Sequence, residues 1–155
     1  MVKLTGIGQA TDTLAVHERE EPTDLLAVRR SAAKAYEMAG VGPTDVDVAE
    51  LHDAFTILEI AESEEVGFFD KGTGHIALEN GETAIGGRIP INPSGGLKGK
   101  GHPVGATGVA QAHEIITQLR GEAGERQVAD ATIGLTTNFG GFGNNVITMV
   151  YKGVK

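Results

Sequence analysis

A histidine in a glycine-rich stretch is the first residue whose type and setting could do chemistry. Six of the fourteen residues from 95 to 108 (GGLKGKGHPVGATG) are glycine, and glycine lets a backbone turn sharply or approach a ligand closely. Pro103 suits the first turn of a helix, so His102 is predicted at or beside the helix N-cap. The positive end of the helix dipole disfavours imidazolium, so this ring would stay neutral and accept a proton. The pattern favours a general base.

A second histidine follows a predicted strand. The alternation over residues 46–51 indicates a buried strand, and His52 and Asp53 come at its end. Ligands bind at the carboxyl ends of strands in open α/β sheets, which makes His52 a candidate site residue. A histidine there can also serve only to hydrogen-bond a neighbouring loop. Asn138 has two comparable readings, as a donor to a bound oxygen or as the holder of its glycine turn.

Charged residues near these histidines are predicted to be solvated. Lys98 and Lys100 could meet phosphate groups, but lysines on a loop are more often in solvent. The acidic run of Glu62, Glu64 and Glu65 is typical of a solvated helix face.

Two other site classes fail on the sequence. The Walker pattern needs lysine and then serine or threonine after its second glycine, and His102 follows Gly101; the dinucleotide pattern needs glycine where Val104 stands. The five histidines are not paired at ligand spacing and no cysteine assists them, so no metal site is expected.

Composition predicts one acidic domain over residues 1–155, of which 40% are hydrophobic. The net charge of −8 argues against nucleic acid or an anionic membrane as the main partner. The sequence shows neither an apolar run long enough for a membrane span nor a signal-peptide pattern, so a cytoplasmic location is expected. The absence of cysteine removes disulfides and any cysteine nucleophile from this chain.

The elements that must position these residues alternate along the chain. The helix after Pro103 is apolar on most sides through Leu119, so we expect another subunit or domain to cover it. The pattern as a whole predicts an α/β fold of three layers with a mixed sheet of about five strands. In chain order, the predicted elements are a strand over 2–9, a helix from Pro22–Asp24 to Gly40, the strand over 46–51, a helix over 55–66, a loop over 67–91 with a short hairpin at Asn80–Gly81, the helix from Pro103, and antiparallel strands over 131–137 and 145–152.

Three motifs, spaced as in one known family, resemble the C-terminal half of a thiolase of the archaeal and sterol-carrier type. They are His52-Asp53-Ala54-Phe55, the stretch from Asn92-Pro93-Ser94-Gly95-Gly96 to Gly101-His102-Pro103, and Thr137-Asn138-Phe139-Gly140-Gly141. The likeness covers essentially all 155 residues, and G-H-P-x-G-x-x-G is its most specific part.

The resemblance implies an acyltransferase that exchanges acyl groups between coenzyme A thioesters through a cysteine acyl-enzyme. His102 would activate the cysteine and help form an oxyanion hole, and His52 would match the position that usually holds a water there. The coenzyme A thioester would be a substrate, with no covalently bound cofactor. The implied substrate-binding residues are Asn138, Gly101, Gly96 and Ser94.

The departures from the family pattern leave three hypotheses. The family's cysteine nucleophile belongs to an N-terminal half that this chain lacks, so the chain would be a C-terminal domain or small subunit, inactive alone and joined to that half or to copies of itself. Ala54 stands where a cysteine is usual and Thr137 where a histidine is usual, which favours a non-catalytic module that binds acyl-CoA or scaffolds a complex. The third hypothesis is a fragment of a longer chain.

Overall fold

The computed structural model describes residues 1–154, which contain four strands and five α-helices. Short 3₁₀ turns join several of these elements. The elements are β1 (Val2–Thr11), α1 (Leu26–Ala39), β2 (Val48–Glu50), α2 (Thr56–Glu65), α3 (Gly74–Glu79), α4 (Gly96–Lys100), α5 (Thr107–Arg120), β3 (Ile133–Gly140) and β4 (Asn145–Gly153).

The strands form one mixed sheet in the order β1-β4-β3-β2. β4 runs antiparallel to β1 and β3, whereas β2 runs parallel to β3. The sheet therefore has four strands and not the five that we expected. Beside the edge strand β2, where a fifth strand would lie, Ile91 forms a single isolated bridge to Ala49. Pro90 and Pro93 flank this bridge and have no N–H to extend a ladder.

Helices cover both faces of the sheet, as the three-layer prediction required. On one face, α1, α2 and α3 pack over the larger core, which includes Val28, Leu51 and Val150. On the other face, α5 packs over a smaller cluster that contains Val48 and Ile115. Val48 and Ala49, two successive residues of β2, belong to different clusters because successive side chains of a strand point to opposite faces of the sheet.

Several predicted boundaries were wrong. α1 begins at Leu26 and not near Pro22, while its end at Gly40, with a φ of 66°, agrees with the prediction. Residues 67–91 contain the helix α3 in place of a hairpin, and Asn80–Gly81 forms the turn that ends it. Within residues 1–154, no helix combines the length and the apolar character needed to cross a membrane.

Candidate active site

The structure brings His52 and His102 together. Their ring centroids lie 4.9 Å apart with the rings nearly perpendicular, at 87°. His52 is buried two residues beyond the end of β2, and His102 is exposed two residues beyond the end of α4. Both histidines line one cavity of about 460 Å³. Two imidazoles at one cavity can divide the work of accepting and donating protons.

The other walls of this cavity are mainly apolar. Ala54, the residue that stands where the family usually has cysteine, is one of them. A mainly apolar cavity with a few polar groups is the usual form of a small-molecule site. The apolar lining residues are Val16, Pro22, Leu25, Ala54, Phe55, Leu58, Phe139 and Phe142.

A carboxylate next to His52 holds the glycine-rich stretch in place. Asp53 Oδ1 accepts from the backbone N–H of Leu97 at 2.7 Å, and Oδ2 accepts from Lys98 N–H at 3.4 Å. Within the stretch of residues 95–108, Gly96–Lys100 form the short helix α4, whereas we expected only a loop before Pro103. A side chain at Gly96 would overlap the Asp53 carboxylate, so glycine is required there for close approach.

An ion pair between the buried Glu50 and the partly exposed Lys100 side chain ties together the two segments that carry the histidines. Lys100 Nζ lies 2.9 Å from Glu50 Oε2 and 2.7 Å from Ser94 Oγ, and Ser94 donates to Glu50 at 2.8 Å. Glu50 is two residues before His52, and Lys100 is two residues before His102. Burial raises the pKa of Glu50, and Lys100 opposes this rise. Lys100 is an exposed residue, as we expected, but the ion pair of its Nζ with Glu50 was not predicted.

The environment of His52 keeps its ring neutral. Burial, with a further contribution from His102, lowers the pKa of His52 to about 4. The Phe139 ring stacks on it at 5.2 Å with an interplanar angle of 13°. Asn138 Nδ2 lies 3.2 Å from His52 Nδ1, which gives that ring nitrogen a donor to accept from. With Asn138 as the donor, Nδ1 has no proton and Nε2 carries it.

His102 is held differently from our expectation. Helix α5 begins at Thr107, after a turn over residues 103–106, so His102 is not at its N-cap and the dipole argument does not apply to it. Its Nδ1 lies 2.7 Å from Thr107 Oγ1. When Thr107 Oγ1 accepts a hydrogen bond from Nδ1–H, Nε2 is left with a lone pair, as a general base requires.

Glu62 lies directly beneath His52 and is fully buried, so the prediction of a solvated acidic face was wrong. Its Oε2 accepts from the His52 backbone N–H at 3.0 Å, while Oε1 has no hydrogen-bond partner among residues 1–154. Burial raises the pKa of Glu62 well above its usual 4.5. The same burial disfavours the charged form of this carboxyl group.

The residues that the resemblance implies for substrate binding have partners of their own. Ser94 contacts Glu50 and Lys100, Gly96 packs on Asp53, and Asn138 contacts His52. Gly101 ends α4 with a φ of 92°. Their contact with a substrate stays a prediction.

Sequence reasoning missed the roles of Thr107 and Gln111 and the ion pair between Glu50 and Lys100. The signal for the first two was present, because polar residues recur at helical spacing along α5: Thr107, Gln111, Glu114 and Gln118. We followed the apolar residues of this helix and expected another subunit or domain to cover them, which stays a prediction. The polar stripe faces inward, whereas Val109 is 74% exposed.

Two further expectations concern groups at or near the site. Thr137 is fully buried, and its Oγ1 has no hydrogen-bond partner in the described part of the chain. A hydroxyl so placed does not replace the histidine expected there. Residues 1–154 contain no group of three or more metal-ligating side chains that could hold an ion.

Residues 8–153 match the model of the family described as thiolase C-terminal domain-like. The acetyl-CoA acetyltransferase of Methanothermobacter thermautotrophicus is 50% identical over 144 residues, which cover 93% of this chain and 38% of that protein. Sterol carrier protein 2 of Rattus norvegicus is 48% identical over 125 residues, which cover 81% of this chain and 23% of that protein.

A solved structure described as an Ltp2-ChsH2(DUF35) aldolase has the same fold, with a TM-score of 0.87 and 27% identity. The match covers 98% of this chain and 39% of the other. The chain thus spans about two fifths or less of the relatives it matches here.

Proposed function

The chain belongs to the thiolase C-terminal domain-like family, and from that premise we propose that it supplies His52 and His102 to an acyl-CoA acyltransferase site. In this proposal the cysteine nucleophile lies in a thiolase N-terminal half outside the given sequence, which contains no cysteine; we propose that this half is a partner chain. One observation carries the proposal: two imidazoles meet edge to face at 4.9 Å on the wall of one apolar cavity.

In the proposed reaction, the cysteine thiol gives its proton to His102 Nε2. On the far side of the ring, Thr107 Oγ1 accepts a hydrogen bond from Nδ1–H at 2.7 Å and orients the imidazole. The thiolate attacks the thioester carbonyl carbon, a new C–S bond forms, and the negative charge moves to the carbonyl oxygen. The bond to coenzyme A sulfur then breaks, and that thiolate recovers the proton from His102.

His52 serves the oxyanion in this scheme. Its neutral ring carries a proton on Nε2, and no hydrogen bond among residues 1–154 uses that group. The N–H can donate to the water that completes the oxyanion hole. A fixed donor aimed at developing charge needs no reorganisation during the reaction. The product is an acyl-cysteine on the partner, ready for thiolysis of a 3-ketoacyl-CoA or for condensation of two acyl-CoAs.

The experiment begins with gentle affinity purification of the chain from its native cells and mass spectrometry of the proteins that remain bound. We expect a thiolase-like N-terminal half with a reactive cysteine, and 3-ketoacyl-CoA thiolysis by the purified pair. Recovery of the chain alone or as a self-oligomer would contradict the split-site proposal. We further propose that the chain is cytoplasmic. Fractionation of the same cells would test this location.

A second candidate function is a non-catalytic module that binds acyl-CoA or scaffolds a complex. The observation that favours it is the pair Ala54 and Thr137, which replace two groups expected to handle protons. General acid–base groups contribute about 10²- to 10⁴-fold each. This candidate predicts coenzyme A binding or a stable complex with no turnover in the presence of a cysteine-bearing partner. Turnover by the purified pair would exclude it.

A further inference from the structure

A buried glutamine on α5 connects the strands β2 and β3. Gln111 is fully buried, and its Nε2 donates to the carbonyl oxygens of Thr137 at 2.9 Å and Glu50 at 3.3 Å. Carbonyl oxygens only accept, so both protons of the amide nitrogen are committed to the sheet. The orientation of the Gln111 amide is therefore fixed, and its Oε1 must accept from whatever faces it.

Asn138 is the group that faces this oxygen. Its Nδ2 lies 2.9 Å from Gln111 Oε1 and 3.2 Å from His52 Nδ1. Because Oε1 accepts, the nitrogen of Asn138 and not its oxygen must lie there. The second proton of the same nitrogen then reaches His52, whose Nδ1 must be the acceptor. The position of the His52 proton is thus traced back to two backbone carbonyls.

The other neighbours of His52 do not fix this proton. Phe139 stacks on the ring and His102 meets its edge, and both contacts restrict the plane of the imidazole. Neither contact distinguishes a proton on Nδ1 from one on Nε2. The backbone N–H of His52 bonds to Glu62, which fixes the main chain only.

We propose that Gln111 is a positioning residue that, through Asn138, holds His52 as the Nε2–H tautomer, so that the ring presents a donor and not an acceptor to the site. The inference deepens the proposed function, since it depends on the role of His52 as a donor. Gln111 contacts no substrate in this scheme. It acts by restricting the orientation of the Asn138 amide, which could otherwise rotate and offer its oxygen to Nδ1.

The test is the ¹⁵N NMR spectrum of the two His52 ring nitrogens in the full chain labelled at histidine. For the wild-type chain we expect an unprotonated Nδ1 and a protonated Nε2. For Gln111→Leu we expect a mixture of both tautomers. A wild-type His52 protonated on Nδ1, or a Gln111→Leu spectrum identical to that of the wild type, would overturn the proposal.

Gln118→Leu is the matched control. Gln118 lies seven residues further along α5, is 1% exposed, and bonds to Glu114 and Arg126, away from His52. The same substitution there removes a similar buried amide and must leave the His52 tautomer unchanged. Loss of the Nε2–H tautomer in both variants would show a general effect of core damage and would contradict the proposal.

Asn138→Asp keeps the test decisive if Gln111→Leu does not fold. A carboxylate facing Nδ1 would draw the proton to that nitrogen, so we expect the tautomer to invert. An unchanged tautomer would contradict the proposed chain of hydrogen bonds. The NMR result needs no turnover, so it stands apart from the activity of the assembled enzyme. An Nε2–H tautomer with no acyl transfer would reject the proposed function and leave the role of Gln111 intact.

Discussion

The helices on the two faces of the sheet bury different kinds of side chain. Helices α1 and α5 are both 14 residues long and cover opposite faces. α1 buries mainly alanine and valine, in a core of twenty buried hydrophobic residues. α5 buries mainly polar side chains, beside a cluster of only four. Burial of apolar surface stabilises the fold, so the α1 face supplies most of the stability. The α5 face uses directional hydrogen bonds, which place the candidate site.

The largest effect on stability should come from the ion pair on the α5 face. Lys100→Met leaves the fully buried Glu50 without its cation. Breaking a fully buried pair by removing one partner costs about 3–5 kcal/mol; because Lys100 is partly exposed, we expect a loss of unfolding free energy at or below the lower end of this range, which urea titration would measure. Lys98→Met, the same change at an exposed lysine two residues away, should have little effect. Equal losses in the two variants would show that the ion pair adds nothing.

Glu62 is an ionisable residue buried in the mainly apolar α1 face. Its contribution to the free energy of unfolding therefore depends on pH. Because the folded pKa is raised above the ordinary 4.5, the folded chain keeps a proton that the unfolded chain releases. The contribution of this group is complete below pH 4.5 and is lost as the pH rises toward the folded pKa.

Glu62→Gln cannot titrate, so we expect a flatter dependence of the unfolding free energy on pH above 4.5. Urea titrations at a series of pH values would measure the slope, with Glu79→Gln, a change at an exposed glutamate, as control. A decline as steep as in the wild type would show that Glu62 is ionised in the fold.

Close packing on the α1 face gives a smaller effect. A side chain at Gly8 would overlap the backbone carbonyl of Ser31 in α1, so Gly8→Ala must move the helix off the sheet. Overpacking of this kind costs about 1–3 kcal/mol. Gly99→Ala in α4, where the added methyl group meets open space, is the control. If both variants melt at the same temperature, α1 does not pack as closely as described.

The smallest expected effect concerns orientation on the α5 face. Thr107→Val removes the hydroxyl that contacts His102 Nδ1, while Thr107→Ser keeps it. Loss of one hydrogen bond of about 0.5–1.5 kcal/mol predicts a decrease of about two- to tenfold in the kcat of the assembled enzyme. The serine variant should retain most of the rate. A valine variant as fast as the wild type would remove Thr107 from the mechanism.

The contrast between the faces also explains what could be predicted from the sequence. The apolar spacing of α1 and the strand alternation of residues 46–51 report burial directly, so those elements were placed correctly apart from their ends. The motifs located His52 and His102. Polar residues that are buried to serve a site look like surface residues in such patterns, which is why Gln111 was missed and Glu62 was predicted to be solvated. Their hydrogen bonds join residues distant in the chain, such as Asn138 and His52.

The central claim, that this chain supplies catalytic histidines to a shared acyl-transfer site, is tested most directly by one rate comparison. The purified pair is assayed for 3-ketoacyl-CoA thiolysis with the wild-type chain, with His102→Ala, and with His75→Ala, which changes an exposed histidine of α3. We predict that His102→Ala lowers the rate by about 10²- to 10⁴-fold while the pair stays assembled, and that His75→Ala does not. Full activity of the His102→Ala pair would contradict the account.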